Sequence, residues 1–260
     1  MCFLVSYETL VGVVFTCVYI KIKRSKFITI TTIFPSMKRI LFTLICISFF
    51  FHRLHAQKEN NHWVAGINVK VNFNTPIPTA SIGQAMMEGS CAVSNRHTGE
   101  LMFSSNGIKA WDKNGVLMPN GTGLIGGTSF NTNSTTQGAL IVPFIDDTTK
   151  FYLFTLQGQD SPFTTPGQLH YSVVDMTLNG GLGDVVAAQK NIFVHDSLCE
   201  GMVAVKGDGC SVWVLTHERV NNVYKAFEVT SLGVNTTPVV SVVPDIIYNP
   251  TGYVWPSVPY

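Results

Sequence analysis

The segment Phe151–Gln157 reads FYLFTLQ and Ser211–Thr216 reads SVWVLT. Side chains leave a pleated strand on opposite faces in turn, so a strand wetted on one side alternates apolar with polar residues. Here both alternate sets are largely apolar. That pattern predicts inner strands with a neighbouring sheet on each side. Helical period is almost absent after Gln57, where apolar residues alternate or form short runs and Gly, Asn, Asp and Thr interrupt them about every eight to twelve residues. The fold class read from this is all-β.

One layout of strands and turns occurs three times. The first unit has strands at Cys91–Asn95, Leu101–Gly107 and Ile108–Trp111, the turn DKNG and a short strand VLM. The second has Ala139–Phe144, the turn IDDTTK, Phe151–Gln157, Leu169–Met176, the turn TLNGGLGD and a fourth strand VVAAQKNIFV. The third has Met202–Lys206, the turn GDG, Cys210–Glu218, Val223–Thr230, the turn SLGVNTTP and VVSVV. Val93, Ile141 and Val203 hold equivalent places, at intervals of 48 and 62 residues. Propeller blades are four-stranded meanders recurring at about 40 to 50 residues, and longer loops in the second unit account for its wider spacing. A β-sandwich also offers seven or eight short strands, but it does not repeat its turn chemistry in register. The expected architecture is a partial β-propeller over 57–243, with four-stranded antiparallel blades at about 87–120, 137–195 and 198–243, then an irregular tail over 244–260.

The front of the chain has a different character. From Met37 it reads MKRILFTLICISFFFHRLHAQ, with a basic start (Lys38, Arg39), an apolar run from Ile40 to Phe51, and the small residue Ala56 before Gln57. This is the pattern of a secretory signal peptide over 37–56. The run is shorter than the roughly 20 apolar residues that span a bilayer, so no stable membrane span is expected after cleavage. Residues 1–36 fit no targeting pattern and read as an upstream extension from a start codon set too early. A lipoprotein is not indicated, because Cys46 lies inside the apolar run without a small-residue pair before it.

Charge excludes one class of partner. Seven of the 17 Lys and Arg fall in the first 56 residues with a single acid, Glu8, which leaves residues 57–260 at a net charge of −5. Nucleic-acid binding needs a basic footprint, and none is present after Ala56. Three cysteines remain there, Cys91, Cys199 and Cys210, an odd number without a CxxC. Neither a disulfide framework nor a zinc site follows from them. Cys199 with Cys210 is the pair an oxidising compartment would join, and buried free thiols are the alternative.

Residues that resemble catalytic motifs fail on spacing. LNGGLGD is followed by strand character, not by the helix that a dinucleotide fingerprint must open. It also departs from the calcium repeat G-G-x-G-x-D, because Asp184 follows Gly183 directly. It is read as a hairpin connection whose glycines take positive φ. His217 and Glu218 begin an H-E-x-x-H, but position 221 is Asn221. Asp112–Gly115 opens like a calcium loop, yet its twelfth position is Gly123 where a bidentate glutamate is required, so a type I turn is expected. Asp146 and Asp147 are adjacent and diverge in a turn, whereas a glycosidase needs two carboxyls facing across a cleft. Asp160, Asp175 and Glu218 are the acids left to approach a propeller axis. The sequons at Asn120, Asn133 and Asn235 mark loops expected to be exposed. Trp63, Trp111 and Trp213 are expected to pack within or between blades, and Trp255 lies in the tail. No catalytic, cofactor-binding or metal-ligating residue is assigned.

The ordered motifs MPNGTGLIGG, STTQGALIVP, FYLFTL, LHYSVVDMTLNGGLGDV, VWVLTHE and GVNTTPVVS resemble, over about residues 60–243, the N-terminal propeller-like region of secreted gliding-motility-associated and PKD-domain-containing bacterial surface proteins. The resemblance implies a signal peptide, a secreted or cell-surface destination and a WD40-like propeller. It supplies no catalytic residues and no cofactor. Proteins of that group commonly end in a type IX secretion sorting domain. Three blades are fewer than the four to eight or so that close a ring, and neither a PKD module nor a sorting domain follows. The chain is therefore expected to be an N-terminal piece of a longer protein. The function expected from this reading is a non-enzymatic surface module, in adhesion or gliding motility, with a protein or glycan partner. The alternative is an extracellular carbohydrate-active enzyme on a propeller scaffold.

Overall fold

The computed structural model describes residues 58–127, 134–158, 167–219 and 221–243, all within the compact unit Gln57–Tyr260. The upstream extension, the signal peptide and the tail expected at 1–36, 37–56 and 244–260 lie outside the described residues, as do Asp160, Asn133 and Trp255.

The fold is all-β, as the strand periodicity implies, and every strand pairing within its sheets is antiparallel. Sheet one holds β1 (His62–Ala65), β2 (Ile67–Asn72) and β3 (Thr79–Ala85) in that order. Sheet two is the meander β4 (Cys91–Ser94), β5 (Leu101–Ser105), β6 (Lys109–Asp112) and β7 (Leu117–Thr122). Sheet three runs β8 (Ala139–Pro143), β9 (Lys150–Leu156) and β10 (Leu169–Asp175), with β11 (Asp184–Val185) and β12 (Ile192–His195) both on the far side of β10. Sheet four repeats that plan with β13 (Val203–Lys206), β14 (Val212–His217), β15 (Val223–Thr230), β16 (Gly233–Val234) and β17 (Val239–Val242). The first strands β4, β8 and β13 are successive neighbours. That is the blade arrangement of a propeller, here left open.

Two features depart from the sequence reading. Sheet one, ahead of the expected first blade, was not anticipated. The strand expected over VVAAQKNIFV is two pieces, β11 and β12, separated by the 3-10 turn Ala187–Gln189 and by Asn191 at φ 56°. β11 pairs with the end of β10 and β12 with its beginning. Sheet four breaks its last strand in the same place, with β16 on Val229–Thr230 and β17 on Val223–Ala226. In sheet two the register jumps between Lys109↔Thr122 and Trp111↔Leu117. An outermost strand has a ladder partner on one side only, so ejecting a few residues sacrifices fewer hydrogen bonds than it would in the interior.

The core lies between the sheets, and β9 shows how. Phe151 and Leu153 turn to sheet two, joining Val93, Phe103, Ala110 and Met118. Tyr152, Phe154 and Leu156 turn the other way and meet Val214, Phe227 and Val229 of sheet four. The Phe103 and Phe151 rings meet edge-on with centroids 5.4 Å apart. Each large apolar side chain buried in this way contributes about 1.5–3 kcal/mol, which explains a strand without a polar face. Sheet one packs on sheet two through smaller and more polar groups. Val64 and Met86 are buried there, the His62 ring contacts Ser94 Oγ at 3.1 Å, and the Asn106 amide donates to the Ala85 carbonyl.

Candidate functional site

A group of chemically capable side chains lies where β12 of sheet three meets sheet four. Lys225, buried on β15, places its Nζ 2.5 Å from Glu218 Oε1 and 3.1 Å from His195 Nε2. His195 Nδ1 stands 2.7 Å from the Asp196 carbonyl oxygen and 2.8 Å from the Asp196 backbone nitrogen, so Asp196 fixes the ring from its own backbone. Glu218 also accepts from the Asn221 amide, and the Lys225 bond holds its carboxyl below the usual range. On the opposite face of β14, Cys199 Sγ lies 3.3 Å from His217 Nδ1, and the His217 ring sits edge-on to Tyr224 with centroids 4.6 Å apart.

A cysteine beside a histidine suggests a nucleophile, but the electrostatics say otherwise. Burial pushes the Cys199 thiol up to about 11, and burial lowers His217. The pair is thus a neutral thiol and a neutral imidazole. Nucleophilic cysteine chemistry needs the thiolate. Cys199 is a buried free thiol, as the alternative to a bridge with Cys210 has it. Cys91 is also free, and burial pushes it up to about 12.

The carboxylates serve turns and sheet contacts. Asp112 Oδ1 accepts from Asn114 N at 2.8 Å and Val116 N at 2.9 Å, with Gly115 at φ 79°, so DKNG is a hairpin turn. Asp147 accepts from Thr149 and pairs with Lys150 at 2.7 Å; the Lys150 bond, then Thr149, push its carboxyl down to about 2. Asp146 is exposed beside it. Asp175 binds Thr177 N and Oγ1 at 2.8 and 2.7 Å. Asp175 and Glu218 therefore lie on different sheets, each held by its own partners. In the connection after β10, Gly183 stands at φ 85°, a left-handed conformation that glycine adopts without strain. Asp184, next in line, reaches across to Asn120 of β7. Asn120 is consequently half-buried in a strand and not in an exposed loop; Asn235 is exposed. Among the described residues, no three His, Cys, Asp or Glu side chains are placed to hold a metal ion, and no helix is long and apolar enough to cross a membrane.

The most unusual surface is on sheet one. The pairings Trp63↔Val71↔Ala80 and Ala65↔Val69↔Ile82 put these residues on the face turned away from sheet two, opposite His62 and Val64. That face is bare: Trp63 is 60% exposed, Ile67 81% and Ile82 86%. The expectation that Trp63 packs between blades is thus overturned, because it is largely exposed and, among the described residues, no second sheet covers its face; Trp111 and Trp213 are half-buried in their strands. Single exposed apolar residues are ordinary, but a contiguous apolar patch marks a contact surface. Sequence reasoning missed this surface although its signal was available in the alternation INVKV, Ile67–Val71.

Comparison with protein-family models, with curated proteins and with solved structures finds no match to this chain.

Proposed function

We propose that the chain is a non-enzymatic interaction module of an exported protein, acting at the cell surface by contact with a protein or glycan. The observation that carries this reading is the uncovered apolar face of sheet one, with Trp63, Ile67 and Ile82 in the open. Burying those side chains in a contact would recover about 1.5–3 kcal/mol each, a return that a solvent-facing sheet forgoes. Export rests on the basic start, apolar run and small-residue end of 37–56. The resemblance to secreted gliding-motility-associated proteins adds adhesion or motility as the setting. An enzyme of the glycosidase kind needs two carboxyls facing across a cleft. Asp112, Asp147, Asp175 and Asp184 are each taken up by backbone N–H groups, which favours the binding module.

Two experiments test this. Fusing residues 1–80 to a phosphatase active only outside the cytoplasm should give activity that disappears when Ile40–Phe51 is deleted. A photo-crosslinking residue at Ile82 should capture a partner in intact cells, while one at exposed Leu178 should not. Activity that survives the deletion, or equal capture at both positions, would contradict the reading.

A further inference from the structure

The dipeptide Asn-Gly occurs four times among the described residues, beginning at Asn106, Asn114, Asn120 and Asn179. In such a pair the glycine backbone nitrogen can attack the asparagine side-chain carbonyl carbon, because glycine has no side chain to obstruct the approach. The fold restrains three of the four. Asn106 is buried; its amide donates to the Ala85 carbonyl, its oxygen accepts from the backbone N–H groups of Ile108 and Lys109, and Gly107 N donates to Ser105 Oγ at 3.1 Å. Asn120, half-buried in β7, donates its amide to Asp184 at 2.7 Å. Asn114 is exposed, but Asp112 grips the N–H groups of Asn114, Gly115 and Val116, and Gly115 N is the atom that would attack. Asn179 differs. It is exposed at φ 50° in the connection after β10, and among the described residues neither its side chain nor the Gly180 N–H makes a hydrogen bond. A Cβ placed on Gly180 would meet nothing within 4 Å. One bond restrains the peptide between them, from Leu182 N to the Asn179 carbonyl at 3.2 Å.

We infer that Asn179 is a site of spontaneous covalent modification, deamidating in the native protein while the fold protects the other three. Gly180 N gives up its proton to hydroxide and bonds to Asn179 Cγ; the Cγ–Nδ2 bond breaks, ammonia leaves, and a five-membered succinimide closes. Water then adds at one of the two ring carbonyl carbons and opens the ring there. Opening at Cγ gives aspartate. Opening at the backbone carbonyl gives isoaspartate, with Cβ and Cγ now in the main chain. The sum is one water consumed and one ammonia released, with nothing oxidised or reduced. Aspartate tolerates the left-handed backbone as asparagine does, so that product keeps the shape of the connection and adds a negative charge. Isoaspartate lengthens the backbone between Asp175, which holds Thr177, and Asp184, which holds Asn120. Each hydrogen bond released before the attack slows it about two- to tenfold. Asn179 gives up the fewest.

The test follows all four sites by peptide mass spectrometry while the full chain is held at mildly alkaline pH, either native or in guanidinium chloride. Each native rate is divided by the rate of the same site in denaturant, which removes the influence of flanking residues. The ratio for Asn179 should exceed that for Asn114 by more than about twofold, and those for Asn106 and Asn120 by more than about tenfold. The modified peptide should contain isoaspartate beside aspartate, read by methylation with an isoaspartyl methyltransferase. In Asn179→Gln the longer side chain disfavours the five-membered ring. That variant should lose the earliest acidic species seen in isoelectric focusing of the native wild type and leave conversion at Asn114 unchanged. Smaller margins, an early acidic species that persists in Asn179→Gln, or aspartate formed without isoaspartate would each overturn the inference.

Discussion

Asp184, at the start of β11, accepts two hydrogen bonds from Asn120 of β7, from the backbone N at 2.8 Å and from Nδ2 at 2.7 Å. A buried carboxylate here fastens the outer strand of sheet two to that of sheet three. Replacing Asp184 by Ala would leave Asn120 with unmet donors in a half-buried strand. A loss of about 1–3 kcal/mol is expected in urea denaturation. Asp175→Ala, which frees an exposed turn, should cost less than about 1 kcal/mol. Because the Asn120 amide is engaged, its sequon should remain unmodified in a glycosylating host while Asn235 is accepted. Mass spectrometry of the two peptides checks this.

The two faces of β9 make an unequal contrast with the ends of the stack. Leu153→Ala removes a fully buried side chain between sheets two and three, and should cost about 2–5 kcal/mol. Ile82→Ala, on the bare face, should stay within about 0.5 kcal/mol when the protein is dilute. Urea midpoints measured side by side decide it.

This contrast also shows what could be read from the residues. The inner strands were legible because a strand packed on both sides carries apolar residues on both alternating faces, as FYLFTLQ largely does. Turns such as DKNG were legible through their own Asp and Gly. Sheet one was legible only as the alternation INVKV, interrupted just before by Gly66 at φ 57°, and that alternation does not announce that Val69 and Val71 turn away from sheet two while Lys70 turns the other way. The break between β11 and β12 was hidden as well: VVAAQKNIFV has strand character throughout, and the choice to eject Ala187–Gln189 comes from its place at the sheet edge. The pairing of Cys199 with His217 spans eighteen residues. It arises from the way Leu198 and Cys199 run beside the end of β14, and no local spacing announces it.

Stability should fall as the solution is acidified. His62, His170 and His217 are all lowered by burial, and the His170 Nδ1 is buried without a partner. Below about pH 6.5 the unfolded chain takes up protons that the folded imidazoles resist. The stability these groups allow is thus fully present above that pH and is lost as pH drops through it toward the lower folded values. Urea midpoints at pH 7.5 and 5 should differ, with the lower one at pH 5. His170→Leu, which removes one such group together with its orphaned nitrogen, should narrow the gap. An equal or higher midpoint at pH 5 would contradict the assignment.

The thiols of Cys91 and Cys199 should be unreactive in the native protein. Both are raised by burial, to about 12 and about 11, so the thiolate fraction at pH 8 is very small. Iodoacetamide labelling followed by peptide mass spectrometry should leave both unmodified for hours and modify both within minutes in denaturant. Rapid native labelling of Cys199 would restore the nucleophile reading of its pairing with His217.

Nuclear Overhauser contacts from the side chains of β9 decide most directly whether the sheets are stacked with β9 between two neighbours. Phe151 should show cross-peaks to Phe103 of sheet two, and Phe154 to Val214 and Phe227 of sheet four, with no cross-peak from Phe154 to Phe103. If Phe151 and Phe154 contact the same neighbouring sheet, or if either lacks an inter-sheet partner, β9 is not the middle layer of a stack.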